Sequence, residues 1–115
     1  MEISTRKQRS VQVIRLKGPL RLGPAMEDFQ KTMRGFLAEG ELNFVLVLND
    51  VPMIDSSGIG ELIRTQKICK EEGGDIKLVA PGKFVLHTMN LVKITELFDI
   101  HPDEDAAVDA FGDVA

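Results

Sequence analysis

Residues 44–62 read FVLVLNDVPMIDSSGIGEL, and this stretch decides the fold. It opens with five consecutive apolar residues, Phe44 to Leu48, the longest uninterrupted apolar run in the chain. A run that short cannot span a bilayer, which needs about 20 residues as a helix. Without polar alternation it reads as a central strand over 43–48, covered on both faces. A loop follows over 49–56. Ser57 then opens a helix reaching about Glu72, with Ile59, Leu62, Ile63 and Cys69 on one face and Gln66 intruding. Gly73-Gly74 stops it, and Lys67 and Lys70 sit near the negative end of its dipole.

Towards the amino terminus, residues 2–8 and 11–17 read as a hairpin. Val11, Val13 and Leu16 alternate with Gln12 and Arg15, although Ile14 blurs the period. Gly18-Pro19 ends the run. The spacing predicts a helix over 24–39, with Pro24 at a first position where its missing N–H costs nothing. Met26, Phe29, Met33, Phe36 and Leu37 line one face of it, and Gly40 ends it. Towards the carboxyl terminus, Ile76 to Ala80 is a strand closed by Pro81-Gly82, and a short helix covers 83–91. A last strand falls at 96–100. After Pro102, Asp103-Glu104-Asp105 forms the acid-rich first turn of a helix burying Ala107, Val108 and Phe111.

The order ββαβαβαβα predicts an α/β fold with a mixed sheet of about five strands and about four helices, parallel in its later strands. No repeat or linker interrupts it, so 1–115 reads as a single domain. Loops at the carboxyl ends of such strands gather on one edge, where sites on α/β sheets lie.

The chain has 115 residues, 43% apolar and 28% charged, enough for one ordinary core. Its net charge of −4 is uneven. Residues 1–21 hold six Lys and Arg against Glu2, giving +5; residues 95–115 hold seven acids and no base, giving −7; the middle holds −2. The basic start is expected to be a solvated hairpin whose cations blunt an exposed edge. The acidic balance argues against general nucleic-acid affinity. One cysteine allows neither an internal disulfide nor a metal finger. Trp and Tyr are absent, leaving only phenylalanine for stacking. The first ten residues, MEISTRKQRS, hold no apolar segment of a secretory signal, so the reduced cytoplasm is the expected compartment.

Most chemistry finds little support. His87 and His101 lack partners at metal-ligand spacing and read as structural. Cys69, on an apolar helix face, reads as a small hydrophobe. Gly58-Ile59-Gly60 is half of a dinucleotide fingerprint, but the third glycine position is Ile63, and Leu78, Val79 and Ala80 stand where the ribose-binding acid belongs. A phospho-aspartate receiver would use Asp50 or Asp55, yet the loop Gly18 to Gly23 lacks the acids that complete a Mg²⁺ cage. Two serines remain, at the entrance to a helix after a buried strand. In one reading Ser57 is an N-cap and Ser56 continues the turn. In the other, one serine is an exposed phosphoryl acceptor, with Gly58 and Gly60 leaving the backbone bare for a second protein. A phosphate there would lie near helix N–H groups, and its charge of about −1.5 to −2 would be felt by a docked partner.

At Asp55-Ser56-Ser57-Gly58-Ile59-Gly60, preceded by the apolar strand 44–48, the chain resembles the STAS domains of bacterial anti-sigma-factor antagonists. The order of elements and the Gly-Gly-strand-Pro pattern at 73–81 agree, and the resemblance covers nearly the whole chain. It implies that the unphosphorylated protein binds a serine-kinase anti-sigma factor and so releases a sigma factor. The kinase then phosphorylates Ser56 with ATP, the complex dissociates, and a phosphoserine phosphatase restores the free form. The protein itself would be substrate and ligand, not enzyme, with no cofactor of its own, no direct nucleic-acid contact and no membrane. Asp55 would shape the acceptor loop, Ser57 cap the helix, and the face Gly58, Ile59, Gly60, Glu61 to Arg64 meet the kinase. Arg21 stands where many relatives carry an acid; it would either pair with a phosphate on Ser56 or select a different partner. The hairpin would either pair two copies or only cover an edge. Two alternatives stand beside this: an unphosphorylated scaffold or small-ligand sensor of the same fold, and a nucleotide-dependent transferase.

Overall fold

The computed structural model describes residues 1–112; Asp113, counted in the acid-rich end, lies outside them. Five strands form one sheet in chain order: β1 (Glu2–Gln8), β2 (Val11–Lys17), β3 (Asn43–Asp50), β4 (Asp75–Val79) and β5 (Asp99–His101). The β1–β2 pair is antiparallel and the other three pairs are parallel. Helices α1 (Pro24–Ala38), α2 (Ser56–Glu71) and α3 (Lys83–Leu91) follow β2, β3 and β4, and α4 (Glu104–Asp109) follows β5. The predicted order ββαβαβαβα and mixed sheet are what the structure shows.

Side chains divide between two cores. Phe44, Leu46 and Leu48 of β3 pack with Met26, Phe29 and Met33 of α1, Leu62 and Cys69 of α2, and Val85 and Met89 of α3. Val45 and Val47 point the other way and join Val11, Val13, Val79, Ala107 and Val108 in a smaller core under α4. The two covers explain the blurred period of β2. Its first four residues, Val11 to Ile14, are all buried, because Ile14 faces the three-helix layer while Val11 and Val13 face α4. Full burial of a Leu or Phe side chain contributes about 1.5–3 kcal/mol, so the larger core dominates stability.

Boundaries depart from the sequence reading in several places; β4, for one, runs over Asp75–Val79 rather than 76–80. Strand β3 runs two residues further, to Asp50, because Gly18 N–H bonds to the Asp50 carbonyl (3.0 Å) and extends the ladder. A 3-10 turn at Thr95–Leu97 takes the first half of the strand expected at 96–100, and β5 begins at Asp99. Gln66, the polar intruder on α2, donates to the Leu97 carbonyl and holds that turn in place. Phe111 lies just past α4 and is half-buried against the smaller core.

The uneven charge is resolved inside the molecule. Glu104 of α4 pairs with Arg15 (2.7 Å) and Arg6 (3.2 Å), Asp109 pairs with Arg9 (3.1 Å), and Lys7 reaches Glu41 (2.7 Å). The basic hairpin is therefore not simply solvated: its cations receive the acids of the last helix. Each exposed pair contributes at most about 1 kcal/mol, but together they select the face on which α4 docks.

Lys77 is a buried cation on that face. Its ammonium bonds Asp99, lies 3.6 Å from Asp75, and stands 4.8 Å from the centre of the Phe111 ring. Asp99 is mostly exposed, so it stays hydrated if the ammonium is lost. Lys77→Met, which keeps the apolar stem, should therefore change stability by less than about 1 kcal/mol, whereas Lys77→Ala should cost about 2 kcal/mol through lost packing. Urea unfolding of the two variants checks the difference; equal losses would mean that the charge, not the stem, holds α4.

Candidate functional site

Two loops at the carboxyl edge of the sheet are zipped together. The loop after β2 and the loop after β3 run parallel, with Leu20 bridged to Ile54. Three backbone bonds join them: Gly18 N–H to Asp50 O (3.0 Å), Leu20 N–H to Met53 O (3.0 Å) and Asp55 N–H to Leu20 O (3.2 Å). The Asp55 carboxylate completes the joint. One oxygen accepts from the Gly58 N–H and the other from the Leu22 N–H, both at 2.9 Å. These two bonds, Leu22 first, hold its pKa below the ordinary carboxylate value.

Asp55 is the N-cap of α2, with extended backbone and its side chain on Gly58 N–H. The helix thus begins at Ser56, one residue earlier than the spacing suggested. Ser57 is not the cap: it is the second helical residue and half-buried, because Asp55 already occupies the N–H that a capping hydroxyl would take. Ser56 is exposed at the first helical position.

Gly58 does not lie open to a partner, as the sequence reading had it. A Cβ there would stand 2.7 Å from the Leu20 carbonyl oxygen and 2.7 Å from Ile54 Cγ1. The glycine lets α2 start directly against the zipped loops. Ile59 and Glu61 of the expected contact face are also buried. The Glu61 carboxylate accepts from Gln30 Nε2 (3.1 Å) and Arg64 Nη2 (2.9 Å), tying α2 to α1. Burial works against its charge, yet the bonds from Arg64 and Gln30 outweigh it and lower its pKa. Cys69 is fully buried, and burial, with Asp75 nearby, pushes its thiol up to about 11, so it stays protonated at neutral pH. His87 is exposed on α3, and His101 closes β5 with a buried Nε2 that has no hydrogen-bond partner.

What remains facing outward is Ser56, Gly60 and Arg64 on α2, and Arg21 on the neighbouring loop. The sequence reading missed the apolar part of this edge. Leu22 (75% exposed), Met53 (38%) and Phe84 (77%) follow β2, β3 and β4, so parallel strands carry all three to the same end of the sheet. The available signal was a large apolar residue in each loop or helix start after a parallel strand. Exposed apolar groups at the same end of the sheet as an exposed serine and Arg21 suit a protein-binding surface.

The STAS domain family model matches residues 2–107, and the chain belongs to this family. The anti-sigma-B factor antagonist of Bacillus subtilis (strain 168) is 28% identical over 72 residues, 63% of this chain and 66% of that protein. The match thus spans just under two thirds of that relative's length. Among solved structures, the Thermotoga maritima protein TM1081 superposes with a TM-score of 0.87 at 23% identity, covering 94% of this chain and 92% of that one. The anti-sigma factor antagonist SpoIIAA matches in its unphosphorylated form (TM-score 0.75, 18% identity, 98% and 100% covered). Its phosphorylated form matches almost equally (0.74, 19%, 96% and 99%). At these identities the structural likeness speaks to the fold alone.

Asp55→Asn keeps one acceptor oxygen but cannot accept from both Gly58 and Leu22, so it should lose about 1–2 kcal/mol at pH 7. The wild-type pKa is depressed on folding. Its contribution is therefore present above pH about 4 and disappears as pH falls through the lowered folded value. The stability gap between the two proteins should shrink below pH 4; a gap constant from pH 7 to pH 3 would contradict the carboxylate's role. Gly58→Ala should cost about 1–3 kcal/mol in the same unfolding assay, since the Leu20 carbonyl oxygen meets the added methyl and cannot move aside as the Ile54 side chain could.

Proposed function

We propose that this domain is an anti-sigma-factor antagonist whose unphosphorylated surface binds a serine-kinase anti-sigma factor, and that phosphorylation of Ser56 abolishes the binding. The observation that carries this reading is the exposed Ser56 hydroxyl on the first turn of α2, held at a rim of exposed apolar residues by the Asp55 joint. The family match and the similarity to the anti-sigma-B factor antagonist support it.

The chemistry asks little of the domain. Ser56 Oγ attacks the γ-phosphorus of ATP held by the kinase. An O–P bond forms, the bond from the γ-phosphorus to the bridging oxygen breaks, ADP departs with that electron pair, and the hydroxyl proton passes to a base on the kinase. The domain presents the hydroxyl and catalyses nothing. A phosphatase reverses the step by hydrolysis, and both events belong to the cytoplasm.

The switch follows from desolvation. A partner closing over Leu22, Met53 and Phe84 would have to strip water from a phosphate carrying about −1.5 to −2. An unpaired buried charge costs several kcal/mol, and about 1.4 kcal/mol is tenfold in affinity. Ser56→Ala should bind the kinase like wild type, and Ser56→Glu should bind about 100-fold more weakly or worse, by titration calorimetry. Incubation with kinase and ATP should add the mass of one phosphoryl group to wild type and none to Ser56→Ala. Tight binding by the glutamate variant together with an unchanged wild-type mass would refute the switch.

A further inference from the structure

Arg21 is exposed, and among the described residues it enters no ion pair or hydrogen bond through its side chain. Its backbone position is nevertheless tightly defined. Leu20, before it, bonds both Met53 and Asp55, and Leu22, after it, donates to the Asp55 carboxylate. The parallel bridge of Leu20 to Ile54 puts Arg21 in register with Asp55, one residue from Ser56. Neighbouring strands lie about 4.8 Å apart, a step shorter than an extended arginine side chain. Leu20 is fully buried, whereas Arg21 and Ser56 are both exposed. Arg21 makes no ion pair with Asp55, whose two oxygens accept from the Gly58 and Leu22 N–H groups.

We propose that Arg21 is the built-in counter-ion for a phosphate on Ser56. The proposal rests on the phosphorylation proposed above and adds what this chain does with the charge. A phosphate on Ser56 would stand beside the Asp55 carboxylate, a like charge one residue away, and would strain the joint on which the edge depends. A guanidinium swung over it offers two parallel N–H donors and offsets that repulsion. The same movement withdraws a cation from the binding surface. Phosphorylation therefore changes that surface twice, adding an anion and occupying an arginine that the unphosphorylated form leaves open to the partner.

Phosphoserine placed at position 56 during protein synthesis separates this idea from any kinase. The phosphorus resonance is then titrated in wild type, Arg21→Gln and Arg21→Lys. An ordinary phosphoserine has its second pKa near 6, and a nearby cation favours the dianion. The wild-type midpoint should lie about half a pH unit or more below that of Arg21→Gln, with Arg21→Lys between them. The difference should shrink in about 1 M salt, where the screening length falls to ~3 Å. Without phosphate, Arg21→Gln should unfold like wild type, since no partner is lost. Coincident midpoints in wild type and Arg21→Gln would overturn the counter-ion while leaving the switch intact. If the cognate kinase fails to modify Ser56 in wild type, the switch itself falls, whatever the titration shows.

Discussion

The edge that matters is organised by one carboxylate with two bonds. Asp55 accepts from the first turn of its own helix and from the loop after β2. The first bond fixes where α2 starts; the second fixes how far the neighbouring loop stands from that start. A hydroxyl at this position could cap the helix but could not hold both bonds, which take the two separate oxygens of the carboxylate. Everything on the rim inherits its position from this joint: Ser56 because it follows Asp55, Arg21 because it precedes Leu22, and Gly58 because a helix begun this close leaves no room for a side chain. The carboxylate is stabilised as an anion by the bonds it makes, so the joint holds at neutral pH and weakens only in acid.

Behind the joint, the sheet is braced from both sides. Three helices cover one face and α4 covers part of the other. The second brace is small, with a core of valines, and gains its orientation from charge: Glu104 and Asp109 meet Arg6, Arg15 and Arg9. A six-residue helix cannot hold itself together in water. It persists here because Ala107 and Val108 are buried, Asp103 caps it, and the hairpin supplies cations. The amino-terminal and carboxyl-terminal thirds of the chain are thereby fastened to one another across the sheet, away from the rim.

Much of this architecture was legible in the sequence, for a definite reason. Apolar runs such as 44–48 and periodic faces such as Met26-Phe29-Met33 are dictated by burial, which acts on each segment locally. Ile14 looked anomalous only because β2 has two covers, a fact that depends on where α4 lands. The site was partly legible. Ser56 could be singled out, but Asp55 and Ser57 are both good caps in isolation, and which one caps is settled by the tertiary bond from Leu22. Gly58, Ile59 and Glu61 looked available because a helix start shows no face until its neighbours are placed. Leu22, Met53 and Phe84 were missed because they lie in three separate segments, two loops and the start of α3; the parallel strands bring those segments to one end of the sheet.

A rim this well fastened constrains how modification can act. Leu20, Ile54 and Gly58 are buried against one another, so movement of one loop would have to open the core beneath it. The Gly58 N–H at the start of α2 is already taken by Asp55 and is not free to draw a phosphate inward. Under the proposed switch, a phosphoryl group on Ser56 would stay at the surface and would alter the charge that a partner meets rather than the shape of the domain. Reversibility follows from the same constraint. Because no packed element would have to unfold to receive the phosphate, none would have to refold when it left, and hydrolysis of the O–P bond would by itself restore the unmodified surface.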